Sequence, residues 1–181
     1  MTVVNTTSHL KSQLESIGIL ATETWIQHML SHGISDINQL ITVFLNSDLY
    51  SGMTFDEALP QCEASPELFL QRPIVLQIEE LVNIGAPLEH RQSEQNATFK
   101  MFLTDGHRSV IGLLLDRIPG ISWNTPIGGK ILVREAYIGR GLLLLHSRNC
   151  KYIGGKEILR DDPSSSPANN GDPSTSEDQP P

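Results

Sequence analysis

The spacing of apolar residues changes along the chain, and the change divides it into a helical part and a sheet part. Leu10, Leu14 and Ile17 stand at helical spacing within His9 to Ile17, and Gly18 suits the left-handed residue that closes a helix. A second helix, capped by Thr22 or Thr24, gathers Trp25, Ile26, Met29 and Leu30 on one stripe before Gly33. The third reads most clearly. Ser35 is a good N-cap, Asp36 sits at the positive end of the dipole, and Ile37, Leu40, Ile41, Phe44, Leu45 and Leu49 keep the helical period. Short helices cannot bury such stripes singly, so a small three-helix bundle is expected over residues 1–58.

Residues 59–72 read as a linker, and from Pro73 the period becomes two. Ile74 to Ile84 alternates as a first strand. A polar stretch follows Gly85-Ala86-Pro87-Leu88, longer than a hairpin requires. Phe99, Met101 and Leu103 then alternate with Lys100, Phe102 and Thr104, and Asp105-Gly106 turns this strand into Ser109 to Leu115. After Pro119-Gly120 and the turn cluster Asn124 to Gly129 come Lys130 to Ala136, the apolar run Gly141 to Leu145, which suits a buried strand, and Lys151 to Ile153. Five or six short strands punctuated by turns predict a small barrel over residues 73–160. Residues 161–181 hold no Leu, Ile, Val or aromatic side chain, and five acids without a base, so a disordered acidic tail is expected.

Composition narrows the function. The net charge of −8 is segregated: residues 1–70 carry one base against eight acids, whereas residues 71–160 carry twelve bases against eight acids. A barrel only mildly basic falls short of the footprint of a domain that tracks phosphates. Two cysteines, Cys62 and Cys150, support neither a disulfide framework nor an all-cysteine metal site. No basic leader precedes an apolar block and no apolar stretch is long enough to cross a bilayer, so no membrane association is expected. No phosphate-binding glycine loop or nucleophile elbow occurs, and the six histidines read as isolated surface or capping residues, so neither an enzyme nor a cofactor or metal is expected. Among the barrel aromatics, Phe102 with Lys100 is the best candidate for stacking a nucleic-acid base, and its alternative is a barrel exterior covered by the bundle.

Val75-Leu76-Gln77-Ile78, Leu103-Thr104-Asp105-Gly106-His107, Asn124 to Lys130, Arg140 to Leu145 and Ile153-Gly154-Gly155, led by Leu45-Asn46-Ser47-Asp48-Leu49, occur in one order. Together they resemble the N-terminal module of the RecQ-mediated genome instability protein 1 family, a module shared with tudor-domain-containing protein 3. The resemblance implies an α+β chain in which a three-helix bundle precedes a five-stranded OB-fold barrel. It implies a non-catalytic nuclear adaptor that binds a type IA topoisomerase III and a RecQ-type helicase, with a second small OB-fold subunit as a further partner and only weak or indirect DNA contact. Such a complex dissolves double Holliday junctions. A topoisomerase adaptor of the tudor-protein type, acting in RNA metabolism, is the second expectation, and a stand-alone single-strand-binding OB domain the third. The family's loop between the first two strands approaches the topoisomerase gate, which makes Pro87 and Leu88 an expected apolar anchor. Asp105, Pro126 and Lys130 lie in turns implied to contact a partner, with a solvated lysine at a strand start as the alternative for Lys130.

Overall fold

The computed structural model describes residues 3–49, 56–60, 67–93 and 97–156. Three helices come first: α1 (Val3–Ser16), α2 (Glu23–Ser31) and α3 (Ile37–Leu45). The first begins earlier than its apolar spacing indicated. Thr22 caps α2, its hydroxyl accepting the Trp25 N–H at 3.2 Å. The cap of α3 is Asp36, one residue beyond the expected Ser35: its Oδ1 accepts the N–H groups of Asn38 and Gln39 at 2.9 and 3.2 Å. Both residue types cap well, and the first helical residue, Ile37, decides which one holds the position.

The sheet comprises β1 (Glu67–Leu70), β2 (Ile74–Asn83), β3 (Phe99–Thr104), β4 (Ser109–Leu114), β5 (Lys130–Val133), β6 (Ala136–Gly139), β7 (Leu142–Leu145) and β8 (Cys150–Gly154). Their order is β1-β6-β7-β4-β3-β2-β5-β8, and only β4 and β7 pair in parallel. The expected count of five is corrected to eight, for two reasons. The fourth barrel strand is bent between β5 and β6, where Glu135 takes a φ of +47°, and the fifth is bent between β7 and β8. The two bends are joined: the Arg134 N–H donates to the Asn149 carbonyl at 2.8 Å. In addition β1 emerges from the expected linker and pairs with β6. β2–β5 pairing on one side and β7–β4 pairing on the other carry the sheet around on itself, so it curls as an OB-fold does.

Leu76, Ile78, Met101, Leu103, Ile131 and Leu143 point inward and are completely buried in the barrel core. A second core lies outside the barrel. There Leu14, Ile26, Leu40 and Phe44 of the bundle pack with Val75, an outward residue of β2, and with Leu132 and Ile153 of β5 and β8. The bundle thus covers one exterior face of the barrel. No helix among the described residues is long and apolar enough to cross a membrane. The expected tail, residues 161–181, lies outside the described residues, as does Cys62.

Candidate partner-binding site

The face opposite the bundle is open, and strand register shows how it is built. Phe69 faces Tyr137, Tyr137 faces Leu144, Leu144 faces Leu113 and Leu113 faces Lys100, all on the outward side. The neighbouring row runs Gly139, Leu142, Ile111, Phe102. An antiparallel barrel strand ordinarily alternates apolar-in with polar-out. Here the middle of each row is apolar as well, with Lys100 and the flanking Glu67 and Glu80 at the ends, yet Phe69 remains 49% exposed and Leu142 36% exposed. The run Gly141 to Leu145, expected to be buried on both sides, is buried only at Leu143 and Leu145.

Lys100 and Phe102 lie on this face, both half-buried, with the Lys100 ammonium 4.8 Å from the centre of the Phe102 ring. The cation already sits on the face of the ring, an attraction of the quadrupole kind. Tyr137 donates its hydroxyl to the Glu67 carboxylate across β1 and β6, and that hydrogen bond, ahead of desolvation and the carboxylate's charge, raises the phenol's pKa above its usual value.

The second patch is the end of the barrel formed by the loop after β2. Asn83, itself buried, holds that loop at both ends: its Oδ1 accepts the N–H groups of Gly85 at 3.0 Å and Thr98 at 3.2 Å, and its Nδ2 donates to the Ser93 carbonyl at 3.0 Å. The described residues at both ends of the loop are therefore held by Asn83, and a 3-10 turn, Leu88–His90, begins after Pro87. This places Pro87 on the surface and leaves Leu88 71% exposed. Arg91 and Gln92 of the loop, with Leu81, Val82 and Asn83 of β2 and Trp123, line a shallow cleft of about 210 Å³. Trp123 is 44% exposed, and Ile127 on the same turn and Ile84 next to Asn83 are exposed to a similar degree. Pro126 is exposed on the 119–129 turn, its carbonyl accepting the Gly129 N–H at 3.1 Å.

Two of the expected contact residues are not on the surface. Asp105 is 2% exposed, and its carboxylate accepts four backbone N–H groups. Oδ1 takes those of His107 and Arg108, the local turn bonds that its sequence position indicated, and Oδ2 takes those of Ala58 and Leu59 at 2.8 and 2.7 Å. Lys130 is completely buried, its ammonium donating to the Ser47 carbonyl at 2.8 Å and to that of Gly128 at 2.6 Å. Both side chains bind the chain to itself, which corrects their reading as partner contacts and, for Lys130, the solvated alternative too. A second reading is also corrected: His28 and His32 are not isolated but stand one helical turn apart, with ring centres 4.4 Å from each other. Among the described residues no three His, Cys, Asp or Glu side chains converge as metal ligands would. The thiol of Cys150 is buried and its pKa is pushed up to about 12, mainly by desolvation and secondarily by the Asp116 charge, so it lies far from the thiolate range of a nucleophile.

A curled sheet, one exterior face capped by helices, an opposite face left apolar and a loop end held by Asn83 define an OB-fold module. Residues 88–160 match the family described as RMI1, N-terminal OB-fold domain. The chain is 34% identical over 90 residues to RecQ-mediated genome instability protein 1 of Oryza sativa subsp. japonica, covering 48% of this chain and 11% of that protein. It is 34% identical over 100 residues to the Arabidopsis thaliana protein of the same name, covering 53% and 16%. Tudor domain-containing protein 3 of Danio rerio is 33% identical over 121 residues, covering 65% of this chain and 16% of that protein. The resemblance to the RecQ-mediated genome instability protein 1 family is thereby shown, and the module is held in common with Tudor domain-containing protein 3. The matched stretch spans about a sixth or less of these relatives' own length.

Proposed function

We propose that this chain is a non-catalytic adaptor that binds a type IA topoisomerase III and joins it to a RecQ-type helicase, acting in the nucleus in double Holliday junction dissolution and genome stability. The observation that carries this reading is the open face of the barrel. The β3–β4 side of an OB barrel is where oligonucleotides are bound, through basic and aromatic groups. Here the paired rows of that side present Ile111, Leu113 and Leu144 beside Lys100, whose ammonium already lies over Phe102. Such a surface suits the apolar centre of a protein interface better than a phosphate backbone. Leu88 and Trp123 at the loop end add the exposed anchors that interfaces concentrate.

A second reading, a topoisomerase III adaptor of the tudor-protein type acting in RNA metabolism, draws support from the larger share of the chain covered by the Danio rerio relative. Size-exclusion chromatography of the full chain mixed with its cognate topoisomerase III, at physiological salt, tests what both readings share. A co-eluting complex is expected, and adding the RecQ-type helicase then separates the two. Separate elution, together with salt-sensitive binding of single-stranded DNA, overturns the adaptor reading in favour of a nucleic-acid module.

A further inference from the structure

We propose that His28 and His32 form a two-ligand site for a borderline divalent metal ion, with zinc, copper(II) or nickel(II) as the class that imidazole nitrogens select. The two residues fall at i and i+4 at the end of α2, the spacing that puts two imidazoles over the same helix face. Both side chains are exposed, and the ring centres lie 4.4 Å apart with the planes inclined at 48° rather than stacked flat.

A second observation points to a ligand. The Nδ1 of His32 lies 2.8 Å from the His28 carbonyl oxygen. A carbonyl only accepts, and the adjacent Ser31 hydroxyl already donates to that same oxygen at 2.7 Å. The proton of the neutral His32 ring is therefore on Nδ1, and the lone pair is on Nε2. Metal-bound histidines are held in the same way, the nitrogen away from the metal donating to a backbone carbonyl so that the other nitrogen is aimed and made more basic. A third consideration agrees: the site lies at the C-terminal turn of α2, where the helix carbonyls favour a cation. Two protein ligands leave the remaining coordination positions to water or to a side chain of a bound partner, so the site is open rather than structural.

Isothermal titration of zinc sulfate into metal-stripped, tag-free full chain tests this. One ion per chain is expected. Substituting either ligand, His28→Gln or His32→Gln, is expected to weaken binding by at least about thirtyfold, while His90→Gln, an exposed histidine on the 3-10 turn, leaves it unchanged. Nitrogen shifts of the two imidazoles in wild-type chain should move together on zinc addition. Undiminished binding in both ligand variants, or an equal loss in His90→Gln, overturns the site. The two ligands are exposed, and far-UV circular dichroism verifies that each variant is folded.

Discussion

Gln77 and Lys130 stand opposite each other on β2 and β5, and both side chains reach out of the barrel to one three-residue stretch after α3. The Gln77 Oε1 accepts the Leu49 N–H at 3.1 Å and its Nε2 donates to the Asp48 carboxylate at 2.9 Å, while Lys130 donates to the Ser47 carbonyl. This cross-strand pair is a polar fastening between bundle and barrel, set beside the Val75 N–H bond to the Gly18 carbonyl and the apolar contacts of Val75 and Leu132. Lys130→Ala strips the Ser47 and Gly128 carbonyls of a charged donor and opens space in the seam, at a cost of about 2–4 kcal/mol. Urea denaturation should show the whole loss in the midpoint. If Lys130 were instead a surface contact, the midpoint would stay put and only partner binding would fall.

Asp105 fastens a different junction. Its Oδ2 reaches residues 46 and 47 positions earlier in the chain, and Arg108 completes the clasp by donating to the Leu59 carbonyl at 2.6 Å and pairing with Glu57 at 2.7 Å. Asp105→Ala leaves four backbone N–H groups short of a carboxylate, and a loss of about 3 kcal/mol is expected. His107→Ala, exposed in the same turn, should stay within about 0.5 kcal/mol of the parent, and equal losses at the two positions would show that the turn rather than the clasp matters.

The close approach beside this clasp is as specific. A Cβ placed on Gly106, whose φ is +95°, would lie 2.3 Å from the Leu49 carbonyl oxygen. Gly106→Ala therefore combines backbone strain with a collision at the bundle, and a melting temperature several degrees below the parent is expected. An unshifted melting curve would mean that the bundle can retreat without cost.

Much of this architecture was legible because periodicity is local. Thr22, the helical stripes of Trp25 to Leu30 and Ile37 to Leu45, and the alternation of Phe99 to Leu103 each announce their element within a few residues. What remained hidden depends on contacts distant in sequence. Lys130 at a strand start looks the same whether it meets water or the Ser47 carbonyl, and β1 spans only four residues, too few for alternation to register. One signal was available. The uninterrupted runs Ile74 to Leu76 and Leu142 to Leu145 carry apolar residues at outward positions, and a barrel strand that is apolar on both sides has its exterior covered. The bundle is the cover for the first run. For the second, the structure shows the face and no cover from the described residues. The spacing of His28 and His32 was likewise visible in the sequence, but their shared face becomes clear only with the rings in place.

Burial of the Cys150 thiol has a pH consequence. Its folded pKa, about 12, lies above the ordinary value of 9.0, so the unfolded chain releases this proton first. The contribution is complete below pH 9 and declines as pH rises from there toward 12, because in that window the folded state binds the proton that the unfolded state has lost. In a Cys62→Ser background, alkylation of Cys150 at pH 8 should be slow in buffer and rapid in denaturant. Fast native labelling would show that the thiol is accessible.

The open face supplies the most discriminating prediction. Leu142 and Leu88 belong to different patches, the sheet face and the loop end, and both are exposed in the free chain. Exposed positions of this kind tolerate substitution within about 0.5 kcal/mol, so Leu142→Lys and Leu88→Ala should both unfold close to the parent. Their effects on partner binding should differ in mechanism. A lysine at Leu142 places an unpaired charge in the centre of an apolar interface, and topoisomerase affinity should fall at least about tenfold, or about 1.4 kcal/mol. Truncating Leu88 removes one anchor and weakens binding only if the loop end touches the partner. Loss in the first variant alone assigns the partner to the sheet face, and loss in the second alone assigns it to the loop. Parent-like affinity in both, measured by titration calorimetry, would dismiss both patches as the topoisomerase contact while leaving the folded module intact.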